Sequence, residues 1–194
     1  MLLKDLITKN KITENLFKEL NQEILLHEVK GISSNSKEIK KDYIFVAIKG
    51  EKLDGADFIT EAEENGAFLI IAETSYKKNV LFIKREKVRH IYTILLASFY
   101  SKQPKQIIGV TGTNGKTSTV EFCRQLWALA GWKSASMGTL GTKTETAVNK
   151  SIYKNSKENL TTFEPSDLYE NLKLLAHEKI SHLALEASSH GIDQ

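Results

Sequence analysis

Ile107-Ile108-Gly109-Val110-Thr111-Gly112-Thr113-Asn114-Gly115-Lys116-Thr117-Ser118-Thr119 is the stretch on which the reading of this chain turns. Four of its first five residues are β-branched, which suits a short buried strand. A glycine-interrupted turn follows, and then helical spacing. Val120, Cys123, Trp127 and Ala130 fall on one side of that helix, with Leu126 beside them. Strand, Gly-rich turn and helix in this order make a phosphate cradle. Without Cβ atoms the glycines let backbone N–H groups turn toward an anion, and the helix N-terminus adds its orphan donors and dipole. Gly112, Thr113, Asn114, Gly115, Lys116, Thr117 and Ser118 are therefore the expected nucleotide-binding residues. Lys116 would reach the β- and γ-phosphates of ATP, and the Thr117 hydroxyl would hold Mg²⁺. The dipole contributes roughly 0.3–1 kcal/mol, whereas each charge-assisted hydrogen bond contributes about 1.5–3 kcal/mol. Lys116 and the converging N–H groups should dominate.

The general pattern G-x-x-x-x-G-K-[ST] is met incompletely. Its first glycine would fall at position 110, where this chain has Val110. A turn that merely links strand to helix is the plainer alternative, but it gives no reason for Gly-Lys-Thr at the junction.

Composition narrows the rest. With 194 residues the chain can form one large domain or two small ones, and 41% hydrophobic residues are ample for a core. The net charge of +3 comes from lysines scattered among glutamates, not gathered in a stripe, so nucleic-acid binding has little support. Cys123 is the only cysteine and is expected as a buried thiol in a reducing compartment. The start, Met1-Leu2-Leu3-Lys4-Asp5-Leu6, lacks the apolar run of a signal peptide. The run from Ile91 to Tyr100 is too short to span a bilayer. A cytoplasmic monomer without membrane contact is the expectation.

Taken in order, Leu2, Leu3, Leu6 and Ile7 suggest a short helix, and Ile24-Leu25-Leu26 a short strand or turn. Ser33-Ser34-Asn35-Ser36-Lys37 is a turn-prone cluster. Tyr43 to Ile48 reads as a continuous apolar strand, Ala56 to Asn65 as a helix stopped by Gly66, and Ala67–Ala72 and 80–84 as strands. Val88, Ile91, Tyr92, Leu95, Leu96 and Phe99 line one face of a further helix. Ser101-Lys102-Gln103-Pro104-Lys105 is polar, carries one of two prolines, and marks a boundary between a domain of residues 1–104 and one of residues 105–194. Beyond the phosphate loop, Lys133 to Met137 could be a strand, followed by a second Gly-rich loop at Gly138-Thr139-Leu140-Gly141. Residues 142–148 alternate like a strand, with 151–153 as a possible hairpin partner. Pro165 opens a helix with Leu168, Leu172 and Leu175 inward, and His182 to Glu186 is a short strand. A doubly wound nucleotide-binding sheet usually has about five or six strands. The second domain therefore reads as an incomplete P-loop-type domain, and strand 182–186 as one presenting an open edge. The fold class is α/β throughout.

Glu186 is the second chemical anchor. At the C-terminal tip of an apolar strand it lies on the sheet edge where the phosphate loop opens, and it can complete the coordination of Mg²⁺ held by Thr117. A solvated glutamate ending an edge strand is the alternative, and the Ser-Ser-His-Gly that follows weighs against it. His190 could touch substrate or order its loop. The other histidines, His27, His90, His177 and His182, have no metal-ligand spacing and read as structural or exposed.

The segments 34–37, 43–50, 54–55, 111–117, 160–162 and 186–191 occur in the order found in the Mur ligases, which this chain resembles from Gly31 onward. The likeness is greatest to the members that act on a UDP-N-acetylmuramoyl dipeptide, adding the third amino acid of the peptidoglycan stem. The resemblance implies an ATP-dependent amide ligase whose N-terminal domain holds the UDP end of the substrate. Ser34 and Ser36 match the uridine-nucleotide loop, and Glu51, Lys52 and Leu53 the contact segment after it. Leu160, Thr161 and Thr162 match the segment holding the muramoyl peptide, with Ser188 and Gln194 as further substrate contacts. Lys116 and Glu186 would be the catalytic residues, with Thr117 and Glu186 on the metal. Lys37, Glu51-Lys52, Leu160 and Phe163 depart from the commoner residues of the family. The second-metal histidine, the carbamylated lysine and the amino-acid-binding domain are expected beyond Gln194, so the chain alone should be inactive. The amino acid added is expected to be meso-diaminopimelate, with L-lysine as alternative. A folylpolyglutamate synthetase-like ligase shares the ATP loop but should lack the α/β domain of residues 31–100. A nucleotide- or UDP-sugar-binding module without activity is the other competitor.

Overall fold

The computed structural model describes residues 1–50, 53–74, 81–84, 86–145 and 163–189, and the chain divides into one unit of residues 1–99 and another of residues 100–194. The first unit opens with three short helices, α1 (Leu3–Ile7), α2 (Lys11–Phe17) and α3 (Gln22–Leu25). The Asn10 and Asn21 side chains cap α2 and α3 by accepting from the N–H groups of Ile12 and Ile24. The Asn21 cap explains why residues 24–25 are helical and not the strand or turn expected from their apolar run. Then follow β1 (Gly31–Ser33), β2 (Tyr43–Ala47), α4 (Ile59–Glu64), β3 (Ala67–Ala72), β4 (Leu81–Lys84) and α5 (Val88–Phe99).

The four strands form one parallel sheet in the order β1-β2-β3-β4. Its central strands are almost wholly apolar because both of their faces are covered. Phe45, Ala47 and Ile70 pack with Ile59 and Ala62 of α4. Ile44, Val46, Leu69 and Ile71 point the other way by strand alternation and are fully buried. On that side α5 packs on β1 and β2 and reaches α1, burying Ile91, Tyr92, Leu95 and Leu96. Each aliphatic side chain so buried contributes about 1.5–3 kcal/mol, so this core carries the unit.

The second unit contains β5 (Gln106–Val110), α6 (Lys116–Leu129), β6 (Ser134–Gly138), β7 (Gly141–Thr144), α7 (Pro165–His177) and β8 (His182–Glu186). Its sheet runs β5-β8-β6-β7, parallel except for β7, which forms a hairpin with β6. The last strand in sequence thus slots between β5 and β6. This corrects the expectation of an open edge at 182–186. The described sheet ends instead at β5, whose Ile107 and Ile108 are each 37% exposed, so the strand at 106–110 is not buried. Leu126, expected beside the inward face of α6, is 64% exposed because that face is narrower than its spacing suggested, and Cys123 is only half-buried. The described partner of β7 is β6, while residues 151–153 lie outside the described residues. Among the described residues no helix is long and apolar enough to cross a membrane.

The α6 face of the sheet is built from small residues: Ser134, Ser136 and Ala184 are all buried there. They let the helix approach closely, and their hydroxyls bind it. Ser136 Oγ donates to Glu121 Oε2 at 3.0 Å, and Ser134 Oγ donates to the Arg124 carbonyl at 2.8 Å. Glu121 also accepts from the Arg124 guanidinium and from Gln125 Nε2 at 3.1 Å. The opposite face is apolar, with Ala135, Met137 and Leu183 against Phe163, Leu172 and Leu175.

The bonds from Arg124, Gln125 and Ser136 hold the Glu121 carboxyl down to about 2, below its ordinary value of 4.5. A carboxyl whose pKa is lowered on folding stabilises the protein above its unfolded value, and that contribution fades as pH falls toward the folded one. Glu121→Ala should therefore destabilise the second unit by about 1–3 kcal/mol at neutral pH, since Ser136 and Arg124 lose their partner. The gap from wild type should shrink between pH 4.5 and 2. Urea unfolding at both ends of that window checks it. A gap that stays constant with pH would contradict the assignment.

Candidate phosphate and cation site

The turn from β5 into α6 fixes the first half of the site. Gly115 precedes the helix at φ 78° and Gly112 sits at φ 144°, both in the region that favours glycine. This backbone leaves the first-turn N–H groups of Lys116, Thr117 and Ser118 at the mouth of α6 without intrahelical partners. The Thr119 N–H is the first to bond back, to the Gly115 carbonyl at 2.9 Å. No side chain caps the helix. An anion at this mouth would meet oriented donors and the positive end of the helix dipole. Lys116 lies over the same loop, its Nζ donating to the Gly112 carbonyl at 2.7 Å. Val110, in place of the first glycine of the general pattern, simply ends β5. It pairs with Glu186 across the sheet.

That pairing delivers the second half. Parallel register sets the C-terminal end of β8 beside the start of the loop, and the Ala187 N–H bonds the Val110 carbonyl at 2.9 Å. Thr117 Oγ1 donates to Glu186 Oε2 at 3.0 Å, joining residues 69 positions apart. The Glu186 side chain is buried, and a cavity of about 10 Å³ beside it is lined in part by Thr117, Glu121, Ser136 and Gly138. That is room for about one water.

The donor set fits a hard cation. Thr117 and Glu186 offer adjacent oxygens and no sulfur or imidazole, which is the preference of Mg²⁺. Among the described residues no group of three or more His, Cys, Asp or Glu could hold a metal. A Mg²⁺ here would share Thr117 and Glu186 with phosphate oxygens, as is usual for phosphate-bound Mg²⁺.

Sequence reasoning missed Thr139. Its N–H donates to Glu186 Oε1 at 3.1 Å and its hydroxyl to Oε2 at 3.2 Å. The Gly-rich character of 138–141 pointed to the turn but not to its target. His182 is structural as expected, stacked on Trp132 at 4.3 Å.

In the first unit, Ser34 is half-buried just after β1 and Ser36 is buried. The Ser36 hydroxyl donates to Glu61, and its carbonyl accepts from Asn65 Nδ2 at 3.0 Å. Leu53 is exposed. Ser188 lies in the segment following β8 and is half-buried. Glu51, Lys52, Leu160, Thr161, Thr162, His190 and Gln194 lie outside the described residues.

Residues 28–102 match the Mur ligase family catalytic domain and residues 110–194 the Mur ligase middle domain. A UDP-N-acetylmuramoyl-L-alanyl-D-glutamate--2,6-diaminopimelate ligase from Brucella melitensis biotype 1 is 41% identical over 170 residues, covering 86% of this chain and 33% of that protein. The ligase of the same name from Rickettsia prowazekii is 42% identical over 178 residues, 90% of this chain and 36% of that protein. A solved structure of a ligase of this name superposes with a TM-score of 0.72 at 26% identity, over 93% of this chain and 36% of that one. The MurF ligase from Thermotoga maritima in complex with ADP gives 0.54 at 26% identity, over 83% and 32%. The chain spans about a third of the length of the curated relatives it matches. Each of its two units carries one domain of these enzymes, in their order, and the chain belongs to the Mur ligase family.

Proposed function

We propose that this chain is the UDP-sugar-binding domain and the first part of the ATP-binding domain of a ligase that extends UDP-N-acetylmuramoyl-L-alanyl-D-glutamate. The amino acid added is meso-diaminopimelate. The relatives named for that reaction support the substrate, and the ADP in the MurF neighbour supports the nucleotide. The observation that carries the reading is the bond from Thr117 to Glu186 at the mouth of the Gly112–Thr117 loop. An ordinary strand-to-helix turn has no need to aim a hydroxyl and a buried carboxylate at one point beside free N–H groups and an ammonium.

In this reading the carboxylate of the muramoyl dipeptide attacks the γ-phosphate of ATP, giving an acyl phosphate and ADP. The amine of the incoming amino acid then displaces phosphate. The loop N–H groups and Lys116 hold the phosphates in line and offset the charge that develops on them. Lys116 Nζ exchanges the Gly112 carbonyl for a phosphate oxygen, a stronger partner because both ions are charged. Mg²⁺, when bound, neutralises phosphate charge, and Thr117 with Glu186 would hold it. Thr161, Thr162, Ser188 and Gln194 orient the carboxylate donor. The uridine end is held by Ser34 with the 51–53 segment. Ser36, whose proton is engaged by Glu61, shapes that loop from within. The enzyme works in the cytoplasm as a monomer.

Lys116→Ala should lower the affinity of the chain for ATP about 10–100-fold, the equivalent of one charge-assisted bond. UDP-muramoyl dipeptide affinity should stay unchanged, because the uridine loop lies in the other unit. Calorimetry with each ligand tests this, and a parallel loss of both affinities would contradict the division of labour.

The two serines should separate. Ser34→Ala should weaken the UDP-linked substrate by about 1–3 kcal/mol with little effect on unfolding. Ser36→Ala should lower stability by a similar amount, since it leaves Glu61 without its donor. Equal effects of both variants on binding, with none on stability, would refute this assignment.

A further inference from the structure

We infer that Thr139 is a positioning residue for the cation site, clamping the Glu186 carboxylate at the angle at which it meets Thr117. The inference rests on the reading of Thr117 and Glu186 as a Mg²⁺-nucleotide site and extends it to a residue outside the phosphate loop. A carboxylate on a free glutamate rotates about its last torsion, which is broad and nearly two-fold. Here that torsion is set from one side: the Thr139 N–H holds Oε1 at 3.1 Å while its hydroxyl holds Oε2 at 3.2 Å. Oε2 is then turned toward Thr117 Oγ1 at 3.0 Å. With its proton committed to Glu186, the Thr117 hydroxyl keeps its lone pairs for a cation.

The turn that presents Thr139 is built for this contact. Gly138 and Gly141 close the β6–β7 hairpin around a two-residue turn, Thr139-Leu140, with Gly141 at φ 75°. A Cβ on Gly138 would collide with the Glu186 carboxyl carbon and Oε1. The absent side chain of Gly138 is the space that the carboxylate occupies. Three elements distant in sequence therefore converge on one carboxylate: α6 through Thr117, the hairpin through Thr139, and β8 through Glu186 itself.

Thr139→Val keeps the shape and the backbone bond but deletes the hydroxyl, and Thr139→Ser restores it. The test is ADP binding to the chain, titrated with and without Mg²⁺, beside thermal unfolding of each variant. Wild type should bind ADP more tightly with Mg²⁺. Thr139→Val should lose about tenfold of the Mg²⁺-dependent affinity, as expected for one hydrogen bond to a charged group. Its Mg²⁺-free affinity should remain that of wild type, and Thr139→Ser should recover the Mg²⁺ response. A merely structural role would lower both affinities together with the melting temperature. That result, or a Thr139→Val variant with the full Mg²⁺ response, overturns the positioning role while leaving the site intact. A wild-type chain whose ADP affinity ignores Mg²⁺ overturns the site itself, and the inference with it.

Discussion

The Glu186 carboxylate is the point on which the second unit closes. It sits at the end of β8, an interior strand of the sheet that runs between β5 and β6. From there it receives the helix through Thr117 and the hairpin through Thr139. A charged group in such a place is tolerable only with its oxygens bonded, since burying a carboxylate without partners costs several kcal/mol. The geometry of the loop, the small residue at 138 and the hydroxyl at 117 all follow from meeting that requirement. In the proposed reading, a site that concentrates oxygen atoms beside unbonded N–H groups takes a phosphate and a cation together, and neither alone uses all of it.

The two units solve different physical problems. In the first, near-continuous apolar strands are covered on both faces, so its stability comes from packing, and its polar cluster at 33–37 is held by Glu38, which accepts from Ser33, and Glu61, which accepts from Ser36. In the second, one face is apolar and the other is a polar seam of Ser134, Ser136, Glu121 and Arg124. The seam trades apolar area for directionality: hydrogen bonds fix the rotation of α6 about its axis more tightly than apolar contacts do. That rotation is what aims Thr117.

Most of the fold was legible in the sequence because strands 43–47 and 67–72 are continuous apolar runs and α5 carries a helical apolar stripe. The strand, turn and helix at 106–129 were legible because the glycines at 112 and 115 punctuate an apolar strand and an apolar helical stripe. Order within the sheet was not. Nothing local says that strand 182–186 inserts between β5 and β6, so apolar content alone suggests an open edge there and a buried strand from Ile107. Exposure of Leu126 escaped for a related reason: helical spacing identifies a face but not how much of it the neighbouring sheet covers. Residue 24 became helical through Asn21, a cap that lies outside the apolar run itself. Thr139 and Glu121 escaped because their partners, Glu186 and Ser136, lie 47 and 15 positions away. Hydrogen bonds of that reach are visible only once the strands are in register.

The central claim is that phosphate and cation are received together where the 112–118 loop, Thr139 and Glu186 converge. Backbone amide resonances of the chain, followed by NMR while ADP and then Mg²⁺ are added, address it most directly. The account predicts that ADP shifts the amides of residues 112–118, and that Mg²⁺ then moves Thr117, Thr139 and Glu186 further while residues 31–50 stay still. Shifts centred on residues 31–50, or a Mg²⁺ response that bypasses Thr139 and Glu186, would contradict it.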